Sequence, residues 1–577
     1  MTHIPKSGRS ELCPPQTHVS RHLVDPQPDE GKLDLFSRFK RAVSDHPRVV
    51  GSILGLAQLP VFMGAAAGQQ ATVASLVGAD GLRMGRDAES VALAEHVLFG
   101  AKTPGETQGS PLFRAIASAV LKATQPGTIA PEQMITYRNW AEPKVLINPE
   151  QVFKEAGRQI ALAEHEVDIQ NFRWSKDSDP VAQIFGGLQK LQARRIAEHA
   201  TTPVKVRLMI DTMQDGLNDN PKTEDMFIEV RAKAKEYGLD KKFVDLEFAA
   251  HDHHLLGAVH SKDIIIDGHT VIITGANLNF FDNWDYTVVR DEPVNNEHDA
   301  GFVLHGEIAR SAVADFDSGW LSSRVWTAPG GGPLPWPLPH ISIEEATRHP
   351  KTITHNFPPL VDQGGPDVPM MFVSKPPYDH LPAEADADHP INRAAVAIFD
   401  QAKTEVSFFT ANLNAPKILD AIVNATARKV TVKAVLTKGF EDFSEALPGQ
   451  GGTNAVVVKE LYARLAKAGI PAERLQIRWS RALETQKEPD VGGEFRSSHI
   501  KALFADRQVA LVTSFNLDTQ SWGGSREIGV IVDDAKTTDG WLKQLFDVDF
   551  KKALPITDPE ALGWDLGQLW KTTHFGE

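Results

Sequence analysis

The sequence predicts an α/β protein of two similar lobes behind a helical N-terminal extension. Three observations carry that prediction. Residues 145–211 and 391–438 both run helix, strand, helix, strand. A His-x-Lys segment followed by four residues and an Asp stands after each run, at 260 and at 499, 239 positions apart. The composition, 42% hydrophobic and 23% charged, is that of an ordinary folded chain, which excludes global disorder and a multi-span membrane protein.

Taken in order, residues 1–45 are Pro-rich and polar and read as a mobile tail. Val49 to Ala67 is apolar and nearly long enough to span a bilayer, but Ser52, Gln58 and Pro60 interrupt it. A buried or interfacial segment within a helical extension, residues 46–144, is therefore the expectation. Its later part, such as LFRAIASAVLKA, has apolar residues at helical spacing. The first lobe, 145–325, opens with a helix (PEQVFKEAGRQIALAE), an alternating strand (VDIQNFRW), a helix (FGGLQKLQARRIAEH) and a strand (VKVRLMID). Residues 326–390 are rich in Pro and Gly and read as a connector. The second lobe, 391–577, repeats the order as INRAAVAIFDQAK, VSFFTANL, APKILDAIVNATA and VTVKAVLT. A repeat on this scale means two lobes, not a solenoid.

The 60 Lys and Arg against 75 Asp and Glu give a net charge of −15, the wrong sign for a surface that gathers polyanions. The single cysteine, Cys13, excludes an intramolecular disulfide and a cysteine-based zinc cluster.

The chemistry lies in the repeated segments. The first carries His260, Lys262 and Asp267 and reaches Thr274, Gly275 and Asn277; the second carries His499, Lys501 and Asp506 and reaches Thr513, Ser514 and Asn516. One such segment is weak evidence, whereas two, each with Asn ten residues past the Asp and each at the same place in a duplicated lobe, are not accidental. In a strand, residues i and i+2 share a face, so each lobe offers an imidazole and an ammonium side by side. Apolar strands after each Asp return Asn277 and Asn516 to the same rim.

In these motifs the chain resembles the phospholipase D superfamily, whose signature is a duplicated HxKxxxxD followed by GSxN. The resemblance covers about residues 145–577. It implies two α/β/α lobes related by a pseudo-twofold axis, with one active site at their junction. The family Gly is replaced by Thr274 and Thr513, and the family Ser survives only as Ser514. The segments HDAGFVLHGEIA and REIGVIVDD are similar to those of monomeric bacterial phospholipases D, and by that match Asp299 and Glu527 are the carboxylates that hydrogen-bond the imidazoles. Asp267 and Asp506 take a supporting, architectural role. The resemblance makes His260 the nucleophile and His499 the acid/base, although the near-symmetry of the motifs leaves the two roles interchangeable on sequence alone. Two lysines and two amides neutralise and orient a phosphodiester, so the chemistry calls for no metal and no cofactor. His251–His254 resemble a metal cluster by composition, but their place just before the first motif reads as a rim loop.

The expected function is that of a phospholipase D, releasing a free head group and phosphatidic acid through a phosphohistidine, with transfer of the phosphatidyl group to alcohols as a second outcome. The expected partners are phospholipid and a membrane surface, and the chain is expected to be a monomer. A family nuclease is the first alternative, opposed by the net charge and by the lack of a basic run. A cardiolipin synthase-like phosphatidyltransferase is the second. A non-catalytic lipid-binding relative is opposed by the retention of both histidines, both lysines and both asparagines. Without a standard signal peptide the default location is cytoplasmic, with peripheral membrane association. Delivery as a bacterial effector through a route that cleaves no signal is the alternative.

Overall fold

The computed structural model describes residues 109–211, 223–251, 258–280, 297–327, 353–360, 367–377, 387–446, 450–480 and 498–556. The tail 1–45 and the apolar segment 49–67 lie outside the described residues.

Helix α1 (Pro111–Leu121) starts where Ser110 accepts from Phe113 N–H and Pro111 presets the first turn. Short strands β1 (Ile135–Thr136), β2 (Asn139–Ala141) and β3 (Leu146–Ile147) follow. The first lobe continues with α2 (Asn148–Leu162), β4 (Glu166–Asn171), α3 (Asp179–Ala197), β5 (Val204–Asp211), α4 (Thr223–Glu236) and β6 (Val244–His251). It ends with β7 (Asp263–Ile266), β8 (Thr270–Thr274), β9 (Ala300–Gly306), α5 (Ile308–Ser322) and β10 (Arg324–Thr327). Helices α2 and α3 touch backbone to backbone at Gly157 and Gly187. A Cβ at Gly187 would stand 2.7 Å from Gly157 O, so neither position admits a side chain without displacement.

The second lobe repeats the plan with β11 (Met370–Lys375), α6 (Pro390–Gln401), β12 (Glu405–Thr410), α7 (Pro416–Ala427), β13 (Thr431–Leu436), α8 (Asp442–Glu445), α9 (Asn454–Lys467) and β14 (Leu475–Trp479). Then come β15 (Ala502–Ala505), β16 (Val509–Thr513), β17 (Glu527–Asp533), α10 (Ala535–Gln544), α11 (Phe546–Lys552) and β18 (Leu554–Pro555).

The sheets have matching strand orders. The first is β10-β6-β5-β4-β7-β8-β9-β2, and the second is β1-β11-β17-β16-β15-β12-β13-β14-β18. Read from opposite ends, β4 to β9 correspond one by one to β12 to β17. In each sheet three parallel strands pair across β4 or β12 with an antiparallel run. The central strands β4 and β12 are almost wholly buried, as strands covered on both faces must be. This is the two-lobed α/β architecture that the duplication predicts.

Two boundaries differ from the sequence expectation. The first sheet takes its edge strand β2 from residues read as helical extension, and the second takes β11 from residues read as connector. The reason is physical. Asn139–Ala141 is too short to show a period, and the fully buried MMFVSK of β11 follows a Pro/Gly-rich run that masks its apolar character. Strand β1 likewise joins the second sheet, pairing with β11.

One hydrophobic core runs through both lobes. It joins Ile265, Val271 and Phe302 of the first sheet to Phe316 and Trp320 of α5, and then to Phe372, Phe408 and Leu511 of the second lobe. A second core under α2 and α3, with Phe153, Phe185 and Phe248, covers the other face of the first sheet. Among the described residues no helix is long and apolar enough to cross a membrane.

Candidate active site

The turns that follow each motif fix its geometry. Asp267 and Asp506 sit in the left-handed region, at φ 53° and 51°. Asp267 accepts N–H bonds from Glu164, His165 and Glu166 at 2.7–2.9 Å. Asp506 accepts them from Lys403, Thr404 and Glu405 at 2.8–3.0 Å. Both carboxylates thus tie the far ends of their hairpins to the starts of β4 and β12. The histidines and lysines lie at the other ends, roughly 13 Å away at the rise of a four-residue strand. The two aspartates anchor strands and do not face the histidines.

At the near ends, Lys262 Nζ donates to His260 O at 2.8 Å and Lys501 Nζ to His499 O at 2.6 Å. Thr274 and Thr513, which replace the family Gly, close the turns that lead to the asparagines. Each hydroxyl donates to a strand carbonyl, Ala300 O at 2.8 Å and Ile528 O at 2.6 Å, and accepts an N–H two residues on. Backbone bonds from Thr274 to Lys262 and from Thr513 to Lys501 make these segments leave the sheets beside the lysines. Asn277 and Asn516 are buried, and Asn516 Oδ1 has no hydrogen-bond partner among the described residues.

The two lobes exchange carboxylates. His260 Nδ1 lies 2.9 Å from Glu527 Oε1 of the second lobe, and His499 Nδ1 lies 2.9 Å from Asp299 Oδ2 of the first. A carboxylate acceptor on Nδ1 fixes the proton there and leaves Nε2 as the free, basic nitrogen. Ser514 Oγ donates to Glu527 Oε2 at 2.5 Å, so the one surviving family serine orients a carboxylate. The structure thus brings His260, Lys262, Glu527 and Ser514 together, and likewise His499, Lys501 and Asp299.

The electrostatics follow from burial. Burial lowers His260 to about 4, with Lys262 adding to the effect against the pull of Glu527. Burial pushes His499 well below its ordinary value, helped by Lys501 and Lys262. Lys262, fully buried and close to Lys501, is pushed down to about 7, and Lys501 is lowered too, chiefly by burial. Burial pushes Asp299 up to about 7. Burial acts in the same direction on Glu527, but His260, Lys262 and the Ser514 hydroxyl outweigh it and hold the carboxyl below its usual range. Desolvation thus penalises both buried ammonium groups; Lys501 adds to the penalty on Lys262, while Asp299, Glu297 and Glu527 partly offset that on Lys501.

Three neighbours escaped the sequence reading. Glu297 Oε2 lies 3.3 Å from His499 Nδ1. It stands two residues before Asp299 in the segment that leads into β9, and that period-2 spacing was the available signal. Phe172 packs edge-on against His260 at 5.2 Å and carries Lys262 Nζ over its ring at 5.2 Å. Phe440 lies 5.7 Å from His499. No residue pattern marks either ring. Ligand atoms of Glu297, Asp299 and His499 come within 4.8 Å of one another, a set able to hold a cation, and one that already serves the imidazole. Of the His251–His254 run, His251 is buried at the end of β6 and the rest lies outside the described residues.

The model for the phospholipase D-like domain of cardiolipin synthase matches residues 396–550. No curated protein matches the chain. Among solved structures, the phosphatidylserine synthase of Haemophilus influenzae Rd KW20 is 14% identical over 75% of this chain and 92% of that one, with a TM-score of 0.49. Nuc, a phospholipase D family member from Salmonella typhimurium, is 17% identical over 33% of this chain and 98% of its own, with a TM-score of 0.23. NucT from Helicobacter pylori is 11% identical over 32% and 98%, with a TM-score of 0.23. The family model spans the second motif, so residues 396–550 form a phospholipase D-like domain, and the first lobe repeats that motif on corresponding strands.

Proposed function

We propose that the chain is a phospholipase D that hydrolyses phospholipid phosphodiesters at a membrane surface. The observation that carries this reading is the pairing of two buried lysines with two buried, carboxylate-held imidazoles, a set of charges that an anionic phosphodiester relieves. Lys262, Lys501, Asn277 and Asn516 hold the non-bridging oxygens. His260 Nε2 attacks phosphorus, and the bond to the head-group oxygen breaks. That oxygen takes a proton from His499, leaving a phosphatidyl group on His260. Water then attacks phosphorus, gives a proton to His499, and frees His260 and phosphatidic acid.

The two pairs differ in the way these roles require. The Asp299–His499 pair retains a proton near neutral pH because burial raises Asp299 to about 7. In the Glu527–His260 pair the carboxyl is held low, and burial with Lys262 outweighs its pull and keeps His260 neutral and ready to attack. Net charge −15 favours lipid over nucleic acid as substrate.

The match of the second lobe to a cardiolipin synthase domain favours a second reading, in which an alcohol replaces water and the phosphatidyl group is transferred. One experiment separates the readings. Purified protein is incubated with vesicles of mixed phosphatidylcholine, phosphatidylethanolamine and phosphatidylglycerol, with and without added glycerol, and separately with plasmid DNA. Head-group release with phosphatidic acid supports hydrolysis, and a new phosphatidyl ester that forms faster than phosphatidic acid supports transfer. Nicked plasmid with untouched lipid overturns both.

A further inference from the structure

Immediately before each carboxylate stands a residue that the chemistry above does not use. Arg526 precedes Glu527, and His298 precedes Asp299. Their backbones lie beside the residues that carry the histidines. His260 N–H donates to Arg526 O at 3.0 Å and Arg526 N–H to Ala258 O at 2.7 Å, while His499 N–H donates to His298 O at 2.8 Å. Parallel bridges pair Val259 with Arg526 and Ser498 with His298. Because successive side chains of an extended chain point to opposite faces, Glu527 and Asp299 turn to the imidazoles while Arg526 and His298 turn away.

Both then reach into the other lobe and meet an acid on its closing helices. Arg526, 1% exposed, donates from Nη2 to Asp315 O at 2.6 Å and lies 2.9 Å from Asp315 Oδ1 on α5. Gly319 of the same helix makes room, since a Cβ there would stand 3.2 Å from Arg526 Cζ. His298 Nε2 lies 2.8 Å from Asp549 Oδ2 on α11, and its Nδ1 lies 2.6 Å from Asn148 Oδ1. The lobes have diverged at the carboxylates and at Ser514/Gly275. Even so, each keeps a cation-forming side chain at this position, anchored on an acid of the opposite lobe.

We propose that Arg526 and His298 are positioning residues, one behind each histidine–carboxylate pair. Arg526 on Asp315 sets the Glu527–His260 pair, and His298 on Asp549 sets the Asp299–His499 pair. The inference rests on the reading of His260 and His499 as the reacting histidines. Each anchor fixes both chain segments of one pair: the strand that delivers the carboxylate and, through the backbone bridge, the one that delivers the imidazole. A shift of well under 1 Å at the anchor is felt at Nε2, where in-line attack on phosphorus tolerates little error.

The test reads the two pairs separately and without substrate. In full-length protein labelled at the histidine rings, the low-field Nδ1–H resonances of His260 and His499 are assigned by their loss in His260→Gln and His499→Gln. Arg526→Met and Asp315→Asn are expected to shift or broaden the His260 resonance and leave that of His499 in place; His298→Gln and Asp549→Asn are expected to do the reverse. Turnover of a short-chain phospholipid below its micelle concentration is expected to fall about 10- to 100-fold in kcat, with KM within about threefold. Arg526→Lys, which keeps the charge, carries the same readout if Arg526→Met fails to fold. Folded variants in which both resonances keep their wild-type positions, or in which every variant moves both alike, overturn the proposal. Wild-type protein that cuts no lipid but shows the selective shifts removes the functional reading and leaves the anchors established.

Discussion

A Cβ at Gly275 would stand 2.5 Å from Asp299 Oδ1 and 2.6 Å from Oδ2, so only the bare backbone of glycine leaves space for the carboxylate that reaches His499. At the matching place in the second lobe, Ser514 fills the space and hydrogen-bonds the carboxylate of Glu527. The pairings are complementary: a short acid beside a glycine, a long acid beside a serine. The loss of the family serine in the first lobe is thus coupled to the choice of Asp over Glu. Gly275→Ser is expected to push Asp299 off His499 and lower kcat by about 100-fold or more, because an acceptor-less imidazole loses its tautomer and orientation. Ser514→Gly removes one hydrogen bond from Glu527 and is expected to cost about tenfold. Steady-state kinetics on one soluble diester compares them, and a Gly275→Ser enzyme as active as wild type would refute the coupling.

In the proposed two-step cycle each histidine has one role, so His260→Ala and His499→Ala are both expected to abolish turnover while melting within a few degrees of wild type. They separate on an activated diester with a p-nitrophenyl leaving group. His499→Ala still forms a covalent adduct because p-nitrophenolate leaves without a proton, and His260→Ala forms none. Acid-labile, alkali-stable label is the readout. Label on His499 in the His260→Ala enzyme would reverse the two roles.

Much of this was legible in the chain because the duplication repeats the informative residues. The alternation of VKVRLMID and VTVKAVLT located β5 and β13 to within a residue, and the motif spacing placed His260, Lys262, His499 and Lys501 at the strand ends. What the sequence did not disclose is the exchange between lobes. Nothing in local pattern says that Glu527 serves His260 and not His499, because that depends on how the two sheets face each other. Strands β2 and β11 were hidden for a different reason: one is too short for a period, and the other is apolar on both faces within a Pro/Gly-rich stretch. Phe172 and Phe440 follow strands as many loop aromatics do, and only the packing singles them out.

The proposed role of the Asp299–His499 pair as proton donor has a measurable signature. Asp299 is raised to about 7 by burial, so the pair loses its proton as pH climbs through that value. An alkyl leaving group needs the proton and p-nitrophenolate does not. The ratio of kcat/KM for an alkyl diester to that for its p-nitrophenyl analogue is therefore expected to be flat below about pH 7 and to fall about tenfold per pH unit above it. Taking the ratio cancels the loss of anion binding that deprotonation of Lys262 imposes on both substrates. A ratio independent of pH from 5 to 9 would remove His499 from leaving-group protonation.

The last expectation concerns the stability that the site gives up. Lys262 is wholly buried, and burial with Lys501 beside it lowers its folded-state value to about 7 from 10.5. Between those limits the unfolded chain binds more protons than the folded one, so stability rises with pH across the window, and below about 7 the full penalty is present. Lys262→Met keeps the length and removes the charge. It is expected to raise the unfolding free energy by roughly 1–3 kcal/mol at pH 6, less than the shift alone implies because the hydrogen bond to His260 O is also lost, with the gain shrinking toward pH 10. The same change should cut turnover by about 1000-fold or more, since in the proposed mechanism the lysine meets the charge that builds on phosphorus oxygens. Inorganic phosphate is expected to raise the melting temperature of wild type at pH 6 and to leave that of the variant nearly unmoved, because the anion relieves the repulsion that the substitution has already removed. Denaturant unfolding at pH 6 and pH 10, with and without phosphate, checks all three points. A variant no more stable than wild type at pH 6, or a gain that does not change with pH, would show that the buried ammonium carries no such penalty.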